Sequence, residues 1–306
     1  MRDKPGYSRP DKTKPVSEVG GHSKRGPPNF FAMVALATVG IVQNWLHRYA
    51  PQELAARWDN VGLQIGNPDS TVEKILVALD PSLEVFKEAK NLGCDLIITH
   101  HPLFFKPISH IILNEPVGKI ISLAMVNEIA LLAAHTNLDV TPGGVNDTLA
   151  EVLHLENIKT VNQTGDVSED SEIAAMCRTG EFPQPLTVCE VSSLLKRNLG
   201  LSFLRLVAED QSHPVKKVLV CSGSGAQAIP LATRLGYDAL ITGDLKYHDA
   251  MLALGRKLIV FDVGHFSSEY VIVEKLVEYL KMEAKQDRVD VTAVASSKEK
   301  DPFMIV

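Results

Sequence analysis

Two stretches of this chain, 143 residues apart, repeat one another without a gap. Residues 74–99 read KILVALDPSLEVFKEAKNLGCDLIIT and residues 217–242 read KVLVCSGSGAQAIPLATRLGYDALIT. Lys74, Leu76, Val77, Ala89, Leu92, Gly93, Asp95, Ile98 and Thr99 fall on Lys217, Leu219, Val220, Ala232, Leu235, Gly236, Asp238, Ile241 and Thr242. Each copy is a short β-branched run, a helical stretch closing on a glycine, and a second apolar run. That is a β-α-β unit, with Gly93 and Gly236 where a helix end favours a residue tolerant of positive φ. The apolar runs predict parallel strands covered on both faces. Any two β-α-β units look somewhat alike, but nine identities at matched spacing weigh against chance. The expected fold is α/β, with two similar lobes built from β-α-β units and mixed or parallel sheets covered by helices. The lobes are expected over 34–160 and 178–306, with the C-terminal helix packing back on the first lobe and an acidic turn or linker at 164–172.

The chain of 306 residues is 45% hydrophobic, enough for two packed lobes. A net charge of −6 with no basic stripe disfavours nucleic acid as a partner. Cys94, Cys177, Cys189 and Cys221 are scattered without a C-x-x-C pair. They are expected to be reduced thiols of a cytoplasmic protein, not a disulfide frame or zinc knuckle. Every apolar run is too short to span a bilayer. Residues 1–32 are rich in Pro, Gly, Lys, Arg and Ser without periodicity, and a disordered tail is expected there, with Met33 as the natural beginning.

The first copy of the repeat ends in LIITHHPLFF, so His100 and His101 sit at the carboxyl end of a strand, where the second copy has Gly243 and Asp244. Open α/β sheets bind their ligands at that end. Neighbouring strand residues point to opposite faces. The two histidines can therefore share one centre only if the strand breaks there, which Pro102 favours, or else they serve two ions. A second apolar run, LLAAHTNLDV (131–140), ends in His135, Asn137 and Asp139, and the glycine-rich turn PGGVND (142–147) follows. A third, LIVFDVGHFSSE (258–269), ends at Asp262; His265 and Glu269 then lie four residues apart at the start of a helix expected over 267–285. At that spacing both face the same side.

Strand ends thus supply His100, His101, Asp139, His265 and Glu269. Imidazoles and carboxylates without thiolates suit a borderline divalent ion such as Zn, Mn, Fe or Ni. Five donors exceed what one open ion needs and fit a pair bridged by a carboxylate and a water. Taken singly, each histidine is as readily a helix cap or a satisfied surface group; the shared location carries the expectation. His135 is open as a ligand, a partner of a ligand or a base. Asp59 and Asn60 either line the site or cap a strand. Lys246 and His248 either bind an anion and shuttle protons or are solvated. The SGSGA stretch (222–226) either cradles phosphate through its N–H groups or is a tight β-α turn, the commoner case.

The ordered motifs WDNVGLQIG (58–66), ITHHPLFF (98–105), HTNLD (135–139), GVND (144–147), ITGDLKYHDA (241–250), DVGHFSSE (262–269) and DPF (301–303) resemble a known family over residues 34–306. It is the GTP cyclohydrolase 1 type 2 homolog family, also called the Ngg-one-interacting factor three-like proteins. The resemblance implies a two-lobed α/β fold with a dinuclear metal site between the lobes. It implies His100, His101, Asp139, His265 and Glu269 as ligands, with Glu269 bridging. It also implies a ring-shaped homohexamer whose sites face an inner cavity, in the short form lacking an inserted domain. The first 32 residues match nothing in that family, and Asp244 stands where relatives often have Glu. The expected function is a dinuclear metal-binding protein, a metal-dependent hydrolase (GTP cyclohydrolase-like or a phosphoesterase) acting on a nucleotide or phosphorylated small molecule. His135 and His248 are the expected proton carriers. The competing expectation, from a different class, is a non-catalytic metal-binding or protein-interaction module.

Overall fold

The computed structural model describes residues 36–161 and 171–306. The amino-terminal tail, and all of the 164–172 segment except Ser171 and Glu172, lie outside these residues. The chain enters through β1 (Ala37–Thr38) and α1 (Val39–Tyr49), where Thr38 Oγ1 accepts a hydrogen bond from Ile41 N and caps the helix. Strands β2 (Gly62–Ile65) and β3 (Thr71–Val72) precede the first repeat copy. That copy is β4 (Lys74–Ala78), α2 (Leu83–Leu92) and β5 (Leu96–Thr99). Then come α3 (Pro116–Val126), β6 (Ala130–Ala133), α4 (Thr136–Val140), α5 (Val145–Val152), β7 (Glu156–Thr160) and α6 (Ser171–Met176). Next are β8 (Arg178–Thr187), α7 (Val188–Asn198), β9 (Arg205–Val207) and β10 (Pro214–Val220). The chain closes with α8 (Ile229–Arg234), β11 (Ala239–Thr242), α9 (Tyr247–Gly255), β12 (Ile259–Asp262), α10 (His265–Glu269), α11 (Val271–Asp287) and β13 (Thr292–Ala295).

The strands form a five-stranded sheet, β13-β4-β5-β6-β2, and a six-stranded sheet, β7-β8-β10-β11-β12-β9; β1 and β3 pair separately. The five-stranded sheet is parallel except for β2 at its edge. In the six-stranded sheet β10, β11 and β12 run parallel; β8 pairs antiparallel with β10, β7 antiparallel with β8, and β9 antiparallel with β12. The two copies of the repeat are superimposable in register: Ile75 pairs with Leu96, and Val218 with Ala239, the same offset. They share a clamp as well. Asp95 Oδ2 accepts from Glu73 N and Lys74 N at 2.8 and 3.0 Å, and Asp238 Oδ2 from Lys216 N and Lys217 N at 2.9 and 2.8 Å. The expected left-handed helix ends are present, with φ of +66° at Gly93 and +71° at Gly236. Strands β5 and β11 are buried along their whole length, as their unbroken apolar runs predict.

The carboxyl-terminal segment returns to the first sheet. Strand β13 lies parallel beside β4, and α11 packs Ile272, Leu276 and Leu280 into one core with Trp45, Ile75, Val77 and Ile98. The helix expected over 267–285 begins earlier, at His265, and Tyr270 separates its first turn, α10, from the longer α11. That earlier start places His265 and Glu269 on one short rigid turn directly after β12.

Candidate metal centre

Strand β5 ends at Thr99, whose Oγ1 donates to the His101 carbonyl at 2.7 Å, although the N–H groups of His100 and His101 still bond to the Ala78 and Leu79 carbonyls. Both histidines follow the strand end, and their ring centroids lie 5.0 Å apart. His135 follows β6, and Asp139 lies one helical turn further on, in α4. His265 and Glu269 follow β12. The side chains come from the carboxyl ends of strands in both sheets.

Each imidazole is anchored through Nδ1. His100 uses the Ala134 carbonyl at 2.9 Å, and His101 uses Asp80 Oδ1 at 2.8 Å. His135 uses Asp59 Oδ1 at 3.0 Å, and His265 uses Asp244 Oδ2 at 2.7 Å. With Nδ1–H donating, the Nε2 of each imidazole presents a lone pair once it is free of its own proton; histidines that bind metals are held in this way.

The freed atoms converge. Among the described residues three groups bring their donor atoms within 4.8 Å of one another: His100, His101 and His135; His101, His265 and Glu269; His100, Asp139 and Glu269. His101 Nε2 and His265 Nε2 are 3.4 Å apart and lie 3.1 and 3.0 Å from Glu269 Oε2. The two imidazole nitrogens are within hydrogen-bond reach of each other, but their approaches to Glu269 lack hydrogen-bond alignment; among the described residues Glu269 Oε2 is buried without a hydrogen-bond partner, as are His100 Nε2 and Asp139 Oδ1. Donors set tetrahedrally about 2.0 Å from one ion stand about 3.3 Å from each other. The donors of His101, His265 and Glu269 are close to that spacing. His100 Nε2 is 3.7 Å from Asp139 Oδ1 and 3.9 Å from Glu269 Oε1, so Glu269 turns one oxygen to each group.

The electrostatics of the site suit a bound cation. Burial, and then the neighbouring Glu269, push the Asp139 carboxyl well above its usual range. Burial also acts against the Glu269 carboxylate, but His101 and His265 overcome it and hold that group below the usual range. Burial pushes His100 down to about 3, keeping it neutral as a ligand must be. His101 is pushed down by burial but carried up to about 10 by Asp80 and Glu269, and His265 is raised to about 9, chiefly by Glu269. Asp59, despite burial, is held at about 2 by its bonds from His135 and Thr136. Three buried polar atoms without partners among the described residues, one on an imidazole and two on carboxylates, carry a large penalty that a cation would relieve. The residues present fit a divalent ion.

The SGSGA turn supports the centre in a different way from a phosphate cradle. The N–H groups of Ser222, Gly223 and Gly225 are occupied by Asn146 Oδ1, Ser268 Oγ and Thr242 Oγ1 at 2.7, 2.9 and 3.0 Å. Gly223 has φ +60°, and a Cβ there would stand 2.1 Å from Glu269 Oε1. The turn leaves room for the Glu269 carboxylate and nothing more. Asn60 Nδ2 donates to the Phe104 carbonyl at 2.6 Å and clips the loop after His101. Lys246 precedes α9, and His248 lies on its exposed first turn against the Tyr247 ring, outside the three donor groups. Asp244, notable in sequence only as a departure, anchors His265.

Asp80 and Arg178 were not evident from sequence. Asp80 has one signal in hindsight, its place just beyond the β4 strand end. Arg178 is fully buried and its guanidinium reaches Asp147 Oδ2 at 2.8 Å and the carbonyls of Val140, Thr141, Ala175 and Cys177. It fixes the chain immediately after Asp139.

An α/β protein with a candidate divalent-metal centre where strand ends of two sheets meet is the class these features define. Within that class the chain belongs to the Duf34/NIF3 (NGG1p interacting factor 3) family, whose model matches residues 37–302. It is similar to the "GTP cyclohydrolase 1 type 2 homolog" of Clostridium perfringens, 38% identical over 263 residues, 86% of this chain and 97% of that protein. It is also similar to the protein of the same name from Streptococcus pneumoniae, 32% identical over 258 residues, 83% of this chain and 94% of that one. Among solved structures, Staphylococcus aureus hypothetical protein SA1388 matches with a TM-score of 0.81 at 30% identity, covering 89% of this chain and all of that one. No helix among the described residues is long and apolar enough to cross a membrane.

Proposed function

We propose that the centre binds a pair of divalent ions and that the chain is a metal-dependent hydrolase acting on a nucleotide or phosphorylated small molecule. His101, His265 and Glu269 would hold one ion, and His100, Asp139 and Glu269 the other, so that Glu269 would be shared. The observation that carries this reading is the convergence of the donor groups, in which His100 Nε2, Asp139 Oδ1 and Glu269 Oε2 are buried and, among the described residues, without hydrogen-bond partners. The donor set suits Zn, Mn, Fe or Ni. Such a pair, when bound, supplies Lewis acidity and lowers the pKa of water near it toward neutrality.

The chain's own residues do the rest. Asp80 and Asp244 orient His101 and His265 through Nδ1. His135, anchored on Asp59, turns its Nε2 toward His100 and His101 and can take up a proton there, with Asp59 balancing the charge. His248, at the exposed start of α9, passes protons to solvent in this reading. The name shared by the relatives supports a nucleotide-like ligand.

The proposal extends to the two lobes, 34–160 and 178–306, to a cytoplasmic location, and to a homo-oligomer, a hexamer. Ile108, Ile111, Ile112, Leu113, Met125 and Val126 are exposed on and beside α3, an apolar surface of the kind that packs against other chains.

The test is a hydrolysis screen of nucleotides and phosphomonoesters with added Zn, Mn, Fe or Ni. Turnover that disappears with chelator and in Glu269→Gln supports the hydrolase. Bound metal without turnover on any of them would replace it with a metal-binding module.

A further inference from the structure

Beside the metal centre lies a cleft of about 380 Å³, large enough for part of a small organic molecule. Its floor is the turn after β12, Asp262 to Phe266, so His265 belongs both to the metal centre and to the cleft wall. One wall is the segment Leu201 to Arg205 leading into β9; the other is the carboxyl-terminal Asp301 to Ile305. The walls carry Leu204, Phe203, Phe266, Phe303 and Met304, apolar and in part aromatic.

The polar groups of the cleft are unequal in sign. Asp244, Asp262 and Asp301 face it, against Arg205 and His265. The Arg205 guanidinium is already taken by Asp262 and, at 2.8 Å, by the Leu245 carbonyl. Asp244 is engaged with His265. Asp301 is different. Its Oδ1 accepts from Phe303 N at 2.8 Å, and among the described residues no other group bonds to this carboxylate or pairs with it. Its Oδ2 lies beside Gly264, next in sequence to His265. A carboxylate accepts through both oxygens, so Asp301 retains unused capacity in an aromatic-walled cleft.

We propose that this cleft binds the non-reacting part of the substrate, and that it takes a planar aromatic or heteroaromatic group with adjacent N–H donors, neutral or cationic. Asp301 accepts from those donors while Phe303 and Phe203 cover the ring. The carboxylate excess excludes an anion, so a phosphate on the same substrate is left to the metal centre. This placement rests on the reading of the metal centre as the reaction centre, but binding to the cleft alone does not.

Ligand-observed NMR titration of the metal-stripped full chain tests the cleft by itself, with 2-aminobenzimidazole as the planar N–C–N donor and benzoate as the anionic control. The aminobenzimidazole should bind and benzoate should not. Asp301→Asn and Phe303→Ala should each weaken the aminobenzimidazole by about tenfold or more, as loss of a charge-assisted hydrogen bond or of a ring contact does. Thermal melting and metal content should stay as in the parent chain, which separates lost recognition from lost folding and from failure of the metal centre. Equal binding of benzoate, or unchanged affinity in both variants, would overturn the assignment.

Discussion

Arg178→Met removes a buried cation that ties β8 to the chain following Asp139. The side chain is fully buried, and the Asp147 carboxylate it pairs with is only 17% exposed. Methionine keeps the apolar length but leaves that carboxylate and four carbonyls without their donor. Breaking a buried pair by deleting one partner costs about 3–5 kcal/mol. Asp147 keeps its bond from Gly143 N at 3.0 Å, which places the cost near the lower end, about 3 kcal/mol. In a domain of this size that lowers the melting temperature by roughly 6–12 °C. The measurement is thermal and urea unfolding in the presence of chelator, so that ion binding does not contribute. Adding Asp147→Asn to Arg178→Met should recover about 1 kcal/mol or more, because it removes the stranded charge. The Val140 and Thr141 carbonyls, directly after Asp139, accept from Arg178, so metal retention should fall along with stability. A stability change under about 1 kcal/mol, or a double variant no better than the single one, would refute the assignment of Arg178 as the anchor of this loop.

Other perturbations separate the parts of the account. Gly223→Ala places a methyl on Glu269 Oε1 and forces a left-handed conformation on a residue with a side chain; metal content by elemental analysis should drop while the fold, by circular dichroism, persists. Asp80→Asn and Asp244→Asn should each weaken metal binding by about 10–100-fold in competition with a chelating dye, because they loosen His101 and His265 without removing a ligand. Glu88 predicts an acid limb to stability. Burial pushes its carboxyl up, but the donors of Ser296 and Ser297 overcome this and hold it below the usual range. With the folded value depressed, the stabilisation is present above the ordinary glutamate range and fades as pH falls through the folded value. Ser297→Ala should flatten that fall in urea titrations across the acid range.

The fold was legible where sequence repeats itself. A parallel strand between two layers of helices must be apolar along its length, so β4, β5, β10 and β11 announce themselves together with their spacing. Strands β2, β7 and β9 do not, since short antiparallel edge strands carry no such run. The return of β13 to the first sheet is a pairing between residues far apart in sequence, which no local pattern encodes. At the site, His100, His101 and the His265–Glu269 pair were legible because strand ends and helical spacing are local features. The anchors were not. Asp59 holds His135 from 76 residues away, and Arg178 acts on the chain after Asp139 from 37 and 38 away. Those relations exist only once the sheets have packed.

The central claim is a pair of ions sharing Glu269, and the direct measurement is metal per chain by elemental mass spectrometry on protein purified without a histidine tag or added metal. The account predicts about two ions per chain in the parent, fewer in Asp139→Ala, and fewest in Glu269→Ala, whose carboxylate faces both groups. Protein that carries no ion and takes up none on titration, or that keeps its full metal content in Glu269→Ala, would contradict it.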